Sequence, residues 1–379
     1  MKPPRIAIIR QKYNAAGGAE RFVSRAIEAL QGTGRAEVSL LARAWSGIPG
    51  LRLVKISPFY LGRTWRDWGF ARAVCRHLAG EKFDLVQSHE RLSCCDIYRA
   101  GDGVHREWLV QRARTFGPLR RLAQRWSLHH RYVLRAEERM FRHPGVRCVI
   151  CISEMGREEL KRHYQVADAR IEVIYPGVDV DKFHPRLAQE HRLPVRRTLG
   201  IGAEALVLAY AGSGFERKGL GPALRALAAS GTGGHLLVMG RDKHAERFRK
   251  LAASLGLAER AHFLGAREDV KPFLAAADAF IMPSLYEPFG NANMEAMAMG
   301  LPVITSRKSG AAELVSAAGA GRVCDALDVG ALADAIRELA EPARRATAAS
   351  NARAVAERHS LPRMVECLTA LYARLLPSA

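Results

Sequence analysis

A chain of 379 residues is too long for one ordinary domain and suits two α/β domains of roughly 150 to 200 residues, each able to bury its own core. Hydrophobic residues make up 48% and charged residues 25%, with no low-complexity tract, which excludes a largely disordered chain. The formal charge of +20 comes almost wholly from arginine and favours anionic partners, whether nucleic acid, anionic lipid headgroups or phosphorylated substrates.

No stretch approaches the roughly 18 uninterrupted apolar residues of a membrane span. The start has only Ile6 to Ile9 as an apolar run before Arg10. The expectation is a cytoplasmic protein, neither spanning nor secreted. Seven cysteines, Cys75, Cys94, Cys95, Cys148, Cys151, Cys324 and Cys367, are an odd set without the spacing of a disulfide framework, and a reducing compartment fits them. Cys148 and Cys151 have CxxC spacing, but they sit in an apolar strand-like run with no second pair, which points to core packing.

In chain order, residues 5–10 form a β-branched run. A Gly17-Gly18 loop follows, and then a helical pattern with Phe22, Ala26, Ala29 and Leu30 on one face. Similar strand, loop, helix units recur at 83–87, at 147–152 followed by Ser153-Glu154, and at 171–174 ending in Tyr-Pro-Gly. The polar stretch 184–197, with Pro185 and Pro194, reads as the domain boundary. A second series starts at 205–211 and continues at 235–239, 261–264, 279–282 and 302–305. Strands alternating with helices predict doubly wound parallel sheets. The expected domains are 1–183 and 184–357, with a last helix over 361–376.

In such sheets ligands bind beyond the carboxyl ends of strands, where helix N-termini present free N–H groups. Gly17-Gly18-Ala19-Glu20 is one candidate, although Gly-Gly before a helix also serves as a plain turn. Gly212-Ser-Gly-Phe-Glu-Arg217-Lys218-Gly219 is the other. It matches neither the dinucleotide fingerprint, having Arg217 where the third glycine should be, nor the P-loop. Arg217 and Lys218 are placed to neutralise a diphosphate and the charge that grows on it as a leaving group; a solvated basic turn is the alternative.

The densest signal follows a later strand: Tyr286-Glu287-Pro-Phe289-Gly290-Asn291-Ala-Asn-Met-Glu295. Pro288 and Gly290 force Glu287 into a loop, while Glu295 falls in the next helix. Such carboxylates accept hydrogen bonds from sugar hydroxyls, and the N–H groups around Phe289, Gly290 and Asn291 face a bound anion or hydroxyl.

At this point the sequence resembles glycosyltransferase family 4, whose E-x7-E element looks like Glu287 to Glu295. Cys151-Ile-Ser-Glu154, Ile174-Tyr-Pro-Gly177-Val-Asp179, the Arg217-Lys218 loop and Gly300-Leu-Pro302-Val stand in the family's order. Through Cys95 to Asp102 and Gly212-Ser-Gly-Phe215 it looks most like the lipopolysaccharide core glucosyltransferases that modify heptose. The resemblance implies an α/β GT-B fold, two Rossmann-like domains facing a cleft, with the nucleotide-sugar donor bound chiefly by the C-terminal half. It implies that Arg217 and Lys218 hold the diphosphate, Glu295 the ribose, and Glu287 with the Phe289-Gly290 backbone the donor sugar. Gly17 and Gly18 would close over the phosphates, and the C-terminal helix (358–379) would return to the N-terminal, acceptor-side domain. The implied chemistry is retaining hexosyl transfer, UDP-glucose being the first donor, to lipopolysaccharide core or another membrane-associated glycan, with no cofactor and no metal. Mannosyl or N-acetylhexosaminyl transfer for another envelope glycan, or a non-catalytic nucleotide-sugar or nucleic-acid-binding protein, are the alternatives. Asp102 and His105, and likewise His89 and Glu90, stand where related enzymes contact sugar or acceptor.

Finally, residues 105–147 hold eleven arginines, no lysine and three acids, with Trp108, Phe116, Trp126, Tyr132 and Phe141 interleaved. That pattern suits a helix or loop at an anionic membrane surface. Arginine with aromatics also describes single-strand nucleic-acid surfaces, but no nucleic-acid module accompanies it. The expectation is peripheral docking on the cytoplasmic face of the inner membrane.

Overall fold

The computed structural model describes residues 3–11, 36–44 and 51–376. The expectations for Gly17, Gly18 and the helix after them lie outside the described residues.

The described chain divides into two compact units, one running to Tyr175 and resuming at Met364, the other spanning Pro176–Arg363. In the first unit, the strands are β1 (Arg5–Ile9), β2 (Glu37–Ala42), β3 (Arg52–Lys55), β4 (Leu85–Ser88), β5 (Ile97–Arg99), β6 (Cys148–Cys151) and β7 (Ile171–Val173). Among the described residues they form one sheet in the order β3-β2-β1-β4-β5-β6-β7, every pairing parallel. A parallel sheet is covered on both faces, so its strands read as continuous apolar runs rather than alternations, and Ile6 to Ile9 are fully buried. Helices α1 (Gly62–Gly80), α2 (His105–Ala113), α3 (Pro118–Trp126), α4 (Leu128–Arg142) and α5 (Glu154–Tyr164) belong to this unit.

The second unit carries β8 (Val207–Ala211), β9 (His235–Met239), β10 (Ala261–Gly265), β11 (Ala279–Met282), β12 (Val303–Ser306) and β13 (Gly321–Cys324). They are ordered β10-β9-β8-β11-β12-β13, again all parallel. Its helices are α6 (Leu187–Thr198), α7 (Leu220–Ser230), α8 (Ala245–Ser254), α9 (Lys271–Ala275), α10 (Asn291–Ala298), α11 (Ala312–Ala318), α12 (Val329–Ala340) and α13 (Pro342–Arg358). The last helix, α14 (Leu361–Leu375), lies from Met364 onward with the first unit. There the Tyr372 hydroxyl donates to Gln87 Oε1 at 2.7 Å and Arg374 pairs with Glu172 at 2.5 Å. In each sheet the winding reverses once, between β1 and β4 and between β8 and β11, so a crevice opens beyond the carboxyl ends of those strand pairs.

The polar stretch 184–197 is not a loop: α6 occupies most of it, within the second unit. Its polarity is internal, because Arg196, only 1% exposed, and Arg192 both pair with Asp278 at 2.8 and 2.5 Å. Nor are all the cysteines reduced, since Cys75 on α1 and Cys94 form a disulfide, their Cα atoms 5.6 Å apart. The helix lays its Cys75 face on the turn after β4, a tertiary contact that spacing alone does not reveal. Cys148 and Cys151 are free and buried in β6. Being three apart on a strand, they point to opposite faces, and burial pushes the Cys148 thiol up to about 11.

Candidate active site

In the second unit the loop after β8 and the loop after β11 meet at the crossover point. Arg217 Nη1 donates to Glu287 Oε2 at 2.8 Å and to the Tyr286 carbonyl at 3.2 Å. Lys218 Nζ pairs with the same carboxylate oxygen. The backbones are tied as well, Leu285 N–H donating to the Arg217 carbonyl at 2.9 Å. Burial of the Glu287 carboxyl works against its charge, but Lys218 and then Arg217 overcome it and hold the group below the usual carboxylate range.

The loop carrying Glu287 is clamped from its other side. Glu287 N–H donates to the Lys308 carbonyl at 2.8 Å, and Gly310 N–H donates to the Glu287 carbonyl at 3.0 Å. Ser309 Oγ donates to the Phe289 carbonyl at 3.0 Å and receives Asn293 Nδ2 at 3.2 Å. Gly290 then opens α10 with φ +90°. A Cβ there would lie 2.8 Å from Asn293 Nδ2 and 3.2 Å from Glu287 Cγ, so the turn needs glycine. No side chain caps α10, and Asn291 stands in its first turn, where helix N–H groups lack helical partners. Phe289 is buried beneath, and Glu295 lies one turn further along α10, half-buried.

The cationic loop has its own support. The Lys218 stem lies over Gly212, where an added Cβ would sit 3.4 Å from it. Asp242 accepts from the Phe215 N–H at 2.7 Å and from the His244 N–H at 2.7 Å. The Gly212 and Gly240 backbones touch so closely that a Cβ on Gly240 would lie 2.2 Å from the Gly212 carbonyl oxygen. Asp242 was missed at the level of sequence; Gly240-Arg-Asp242 directly after a strand was the available signal. The structure thus gathers Arg217, Lys218, Gly212, Glu287, Phe289, Gly290 and Asn291 at one end of one sheet.

In the first unit the crossover lies between β1 and β4, where Arg10 follows one strand and His89 and Glu90 follow the other. Arg10 Nη1 stands 3.6 Å from Glu90 and 3.7 Å from Asp102. The Gln11 N–H also donates to Glu90 at 2.9 Å. Burial raises the Glu90 carboxyl despite Arg10. His89 is buried 3.1 Å from Gln87 Nε2, and burial with the charges of Arg99 and Arg10 keeps its ring neutral, well below the usual range. Arg99, at the end of β5 and 2% exposed, is pushed down to about 10 by burial and Arg10. An added Cβ on Gly101 would stand 2.6 Å from Arg99 Nη1. Arg10 and Arg99 escaped the sequence reading because an arginine ending a strand has no distinguishing pattern.

His105 is placed differently. It opens α2, its N–H donates to Glu137 Oε1 at 2.9 Å, and its ring lies 3.1 Å from His130 of α4. Burial, Arg91 and His130 push its pKa down to about 3. The ring is neutral and engaged with α4.

Two family models match the chain, "Glycosyltransferase Family 4" over residues 16–182 and "Glycosyl transferases group 1" over residues 193–355. The chain belongs to glycosyltransferase family 4. This family 4 enzyme is 27% identical over 324 residues to the lipopolysaccharide glucosyltransferase WaaG of Escherichia coli K12, covering 84% of each chain. A crystal structure of WaaG, described as a glycosyltransferase involved in lipopolysaccharide biosynthesis, superposes with a TM-score of 0.83 at 26% identity, over 99% of this chain and 100% of that one. The fold is also that of Anabaena Alr3699/HepE in complex with UDP-glucose, with a TM-score of 0.74 at 21% identity, over 98% and 100% of the two chains. The two parallel α/β units are those of a GT-B glycosyltransferase.

Proposed function

We propose that this glycosyltransferase moves a hexose, with retention, from a nucleotide diphosphate sugar to a lipopolysaccharide core glycan or another membrane-associated saccharide. UDP-glucose is the first donor to test. The carrying observation is the convergence of Arg217 and Lys218 on Glu287 at the β8/β11 crossover. Two cations fixed at one end of a sheet, beside the uncapped N-terminus of α10, suit a diphosphate. On donor binding they would exchange part of their hold on Glu287 for phosphate oxygens, leaving that carboxylate and the Phe289-Gly290 backbone to receive sugar hydroxyls, and Glu295 the ribose.

The bond from the anomeric carbon to the diphosphate oxygen breaks as the acceptor oxygen bonds to the same face, and the acceptor proton passes to the departing phosphate. No side chain need act as base. Catalysis rests on positioning and on charge stabilisation by Arg217 and Lys218, which is why metal independence is part of the proposal. In the first unit, Asp102, Glu90 and His89 are the acceptor-side and sugar-contacting candidates. His105, held against His130, would act through its packing or as a neutral hydrogen-bond partner.

Docking on the cytoplasmic face of the inner membrane belongs to the same proposal. No helix among the described residues is long and apolar enough to cross a membrane. Helix α3 has no buried residue. It exposes Leu119, Leu122 and Trp126, spaced three and four apart on one face, among Arg120, Arg121 and Arg125. The test is a transfer assay with UDP-glucose, UDP-galactose, UDP-N-acetylglucosamine and GDP-mannose, with EDTA present. An α-linked product from one α-linked donor, read by NMR at the anomeric carbon, supports the reading. An inverted product, or transfer that needs an added metal, contradicts it.

A further inference from the structure

A cavity of about 940 Å³ opens in the first unit between α1 and α4. Six arginines line it: Arg72 and Arg76 from α1, Arg91 from the turn after β4, and Arg131, Arg135 and Arg139 from α4. The arginines of each helix stand four apart and so share one face, and among the described residues no carboxylate lines the space.

The nearby acids are engaged elsewhere. Glu137 is fully buried and receives Arg91 Nε at 2.9 Å, the His105 N–H at 2.9 Å and the Tyr164 hydroxyl at 2.6 Å. Glu138 pairs with Arg142 at 3.0 Å, and Asp67 with Arg66 at 2.8 Å. Among the described residues, Arg72, Arg76, Arg131, Arg135 and Arg139 have no ion-pair partner. All five are exposed, so their charges are solvated along the rim of the space and free to meet an anion, and the Arg72 guanidinium lies over the Trp68 ring, 5.8 Å from its centroid. Planar guanidinium forks are suited to phosphate oxygens. Trp68 and Tyr132, also on the lining, add flat apolar faces of the kind on which a pyranose ring packs.

We propose that this cavity binds the phosphate groups of a phosphorylated saccharide, and so anchors an acceptor that carries them. The proposal rests on the reading of the enzyme as a transferase to glycans. A concave space with aromatic walls fits a saccharide phosphate better than a flat bilayer, whereas the outward apolar stripe is on α3. The Cys75–Cys94 disulfide supports the cavity: Cys75 lies in its wall, and Cys94 adjoins the 91–93 turn that supplies Arg91.

The experiment is isothermal titration of the full chain with glucose 1,6-bisphosphate, against glucose, inorganic phosphate and vesicles containing phosphatidylglycerol. It compares the unmodified protein with the double variant Arg72→Gln/Arg135→Gln, and a thermal shift with UDP-glucose reports separately on the second unit. The expected result is salt-sensitive binding of the bisphosphate, weakened roughly tenfold or more in the double variant, with no fall in melting temperature because both side chains are exposed. Equal binding by both proteins overturns the proposal, as does binding confined to the vesicles. Binding of the bisphosphate by a chain that gives no response to any nucleotide sugar would uphold the cavity and contradict the donor reading.

Discussion

Glu287 is held by two cations at once, and that arrangement makes its titration informative. Its folded pKa lies below the ordinary value because Lys218 and Arg217 outweigh burial. The sign follows: the stability it contributes is complete above the unfolded carboxylate value of about 4.3 and is lost as pH falls through the lower folded value. Lys218→Ala removes one of the two cations while burial remains, so acid destabilisation should begin at higher pH than in the unmodified chain. Melting temperatures across the acid range check this, and unchanged acid profiles would count against the coupling. Gly290→Ala is the backbone counterpart. With φ +90° and a would-be Cβ pressed on Asn293 and Glu287, the variant should lose roughly 1–3 kcal/mol of stability and weaken donor binding together. Denaturant unfolding and donor titration measure the two effects.

At the scale of elements, the apolar β-branched strands were legible because each is buried on both faces, and the observed β9 and β11 coincide with their sequence-predicted ranges. β2, although largely buried, and the short strands β3, β5 and β13 were not picked out. Residues 97–99 are three positions with an arginine at the end, and β13 opens on Gly321, whose φ of +148° favours glycine, so neither run is apolar enough to stand out. The Glu287 and Arg217-Lys218 loops were legible through their Pro, Gly and charge patterns. Their shared contact depends on β8 and β11 being sheet neighbours although three strands apart in sequence, and no local pattern states that. Helix α6 was hidden because its arginines look solvated until Asp278 is placed beside them. Asp278 also receives the Val207 N–H at 2.8 Å, so Asp278→Ala would strand a buried guanidinium and a backbone donor. A loss of about 3–5 kcal/mol in urea unfolding is the expected outcome. For α3, replacing Leu122 and Trp126 by serine should release the protein from phosphatidylglycerol vesicles in a flotation assay while leaving donor hydrolysis intact; unchanged flotation would remove α3 from the docking reading.

For the whole molecule, the net charge of +20 is spent on several tasks rather than one. Arg192 and Arg196 lock a helix to the second sheet, Arg217 and Lys218 meet Glu287, Arg10 faces Glu90 and Asp102, and exposed arginines of α1 and α4 line a cavity. Composition announced anionic partners without separating these roles, because a charge total carries no positions. The central claim is that the second unit holds a nucleotide diphosphate through Arg217 and Lys218 without a metal. The most direct measurement is the thermal shift produced by UDP-glucose in the presence of EDTA, comparing the unmodified chain with Lys218→Ala. A clear stabilisation of the unmodified chain that Lys218→Ala abolishes is the expected result; stabilisation that survives the substitution, or that appears only when a divalent metal is restored, would contradict a metal-free diphosphate site.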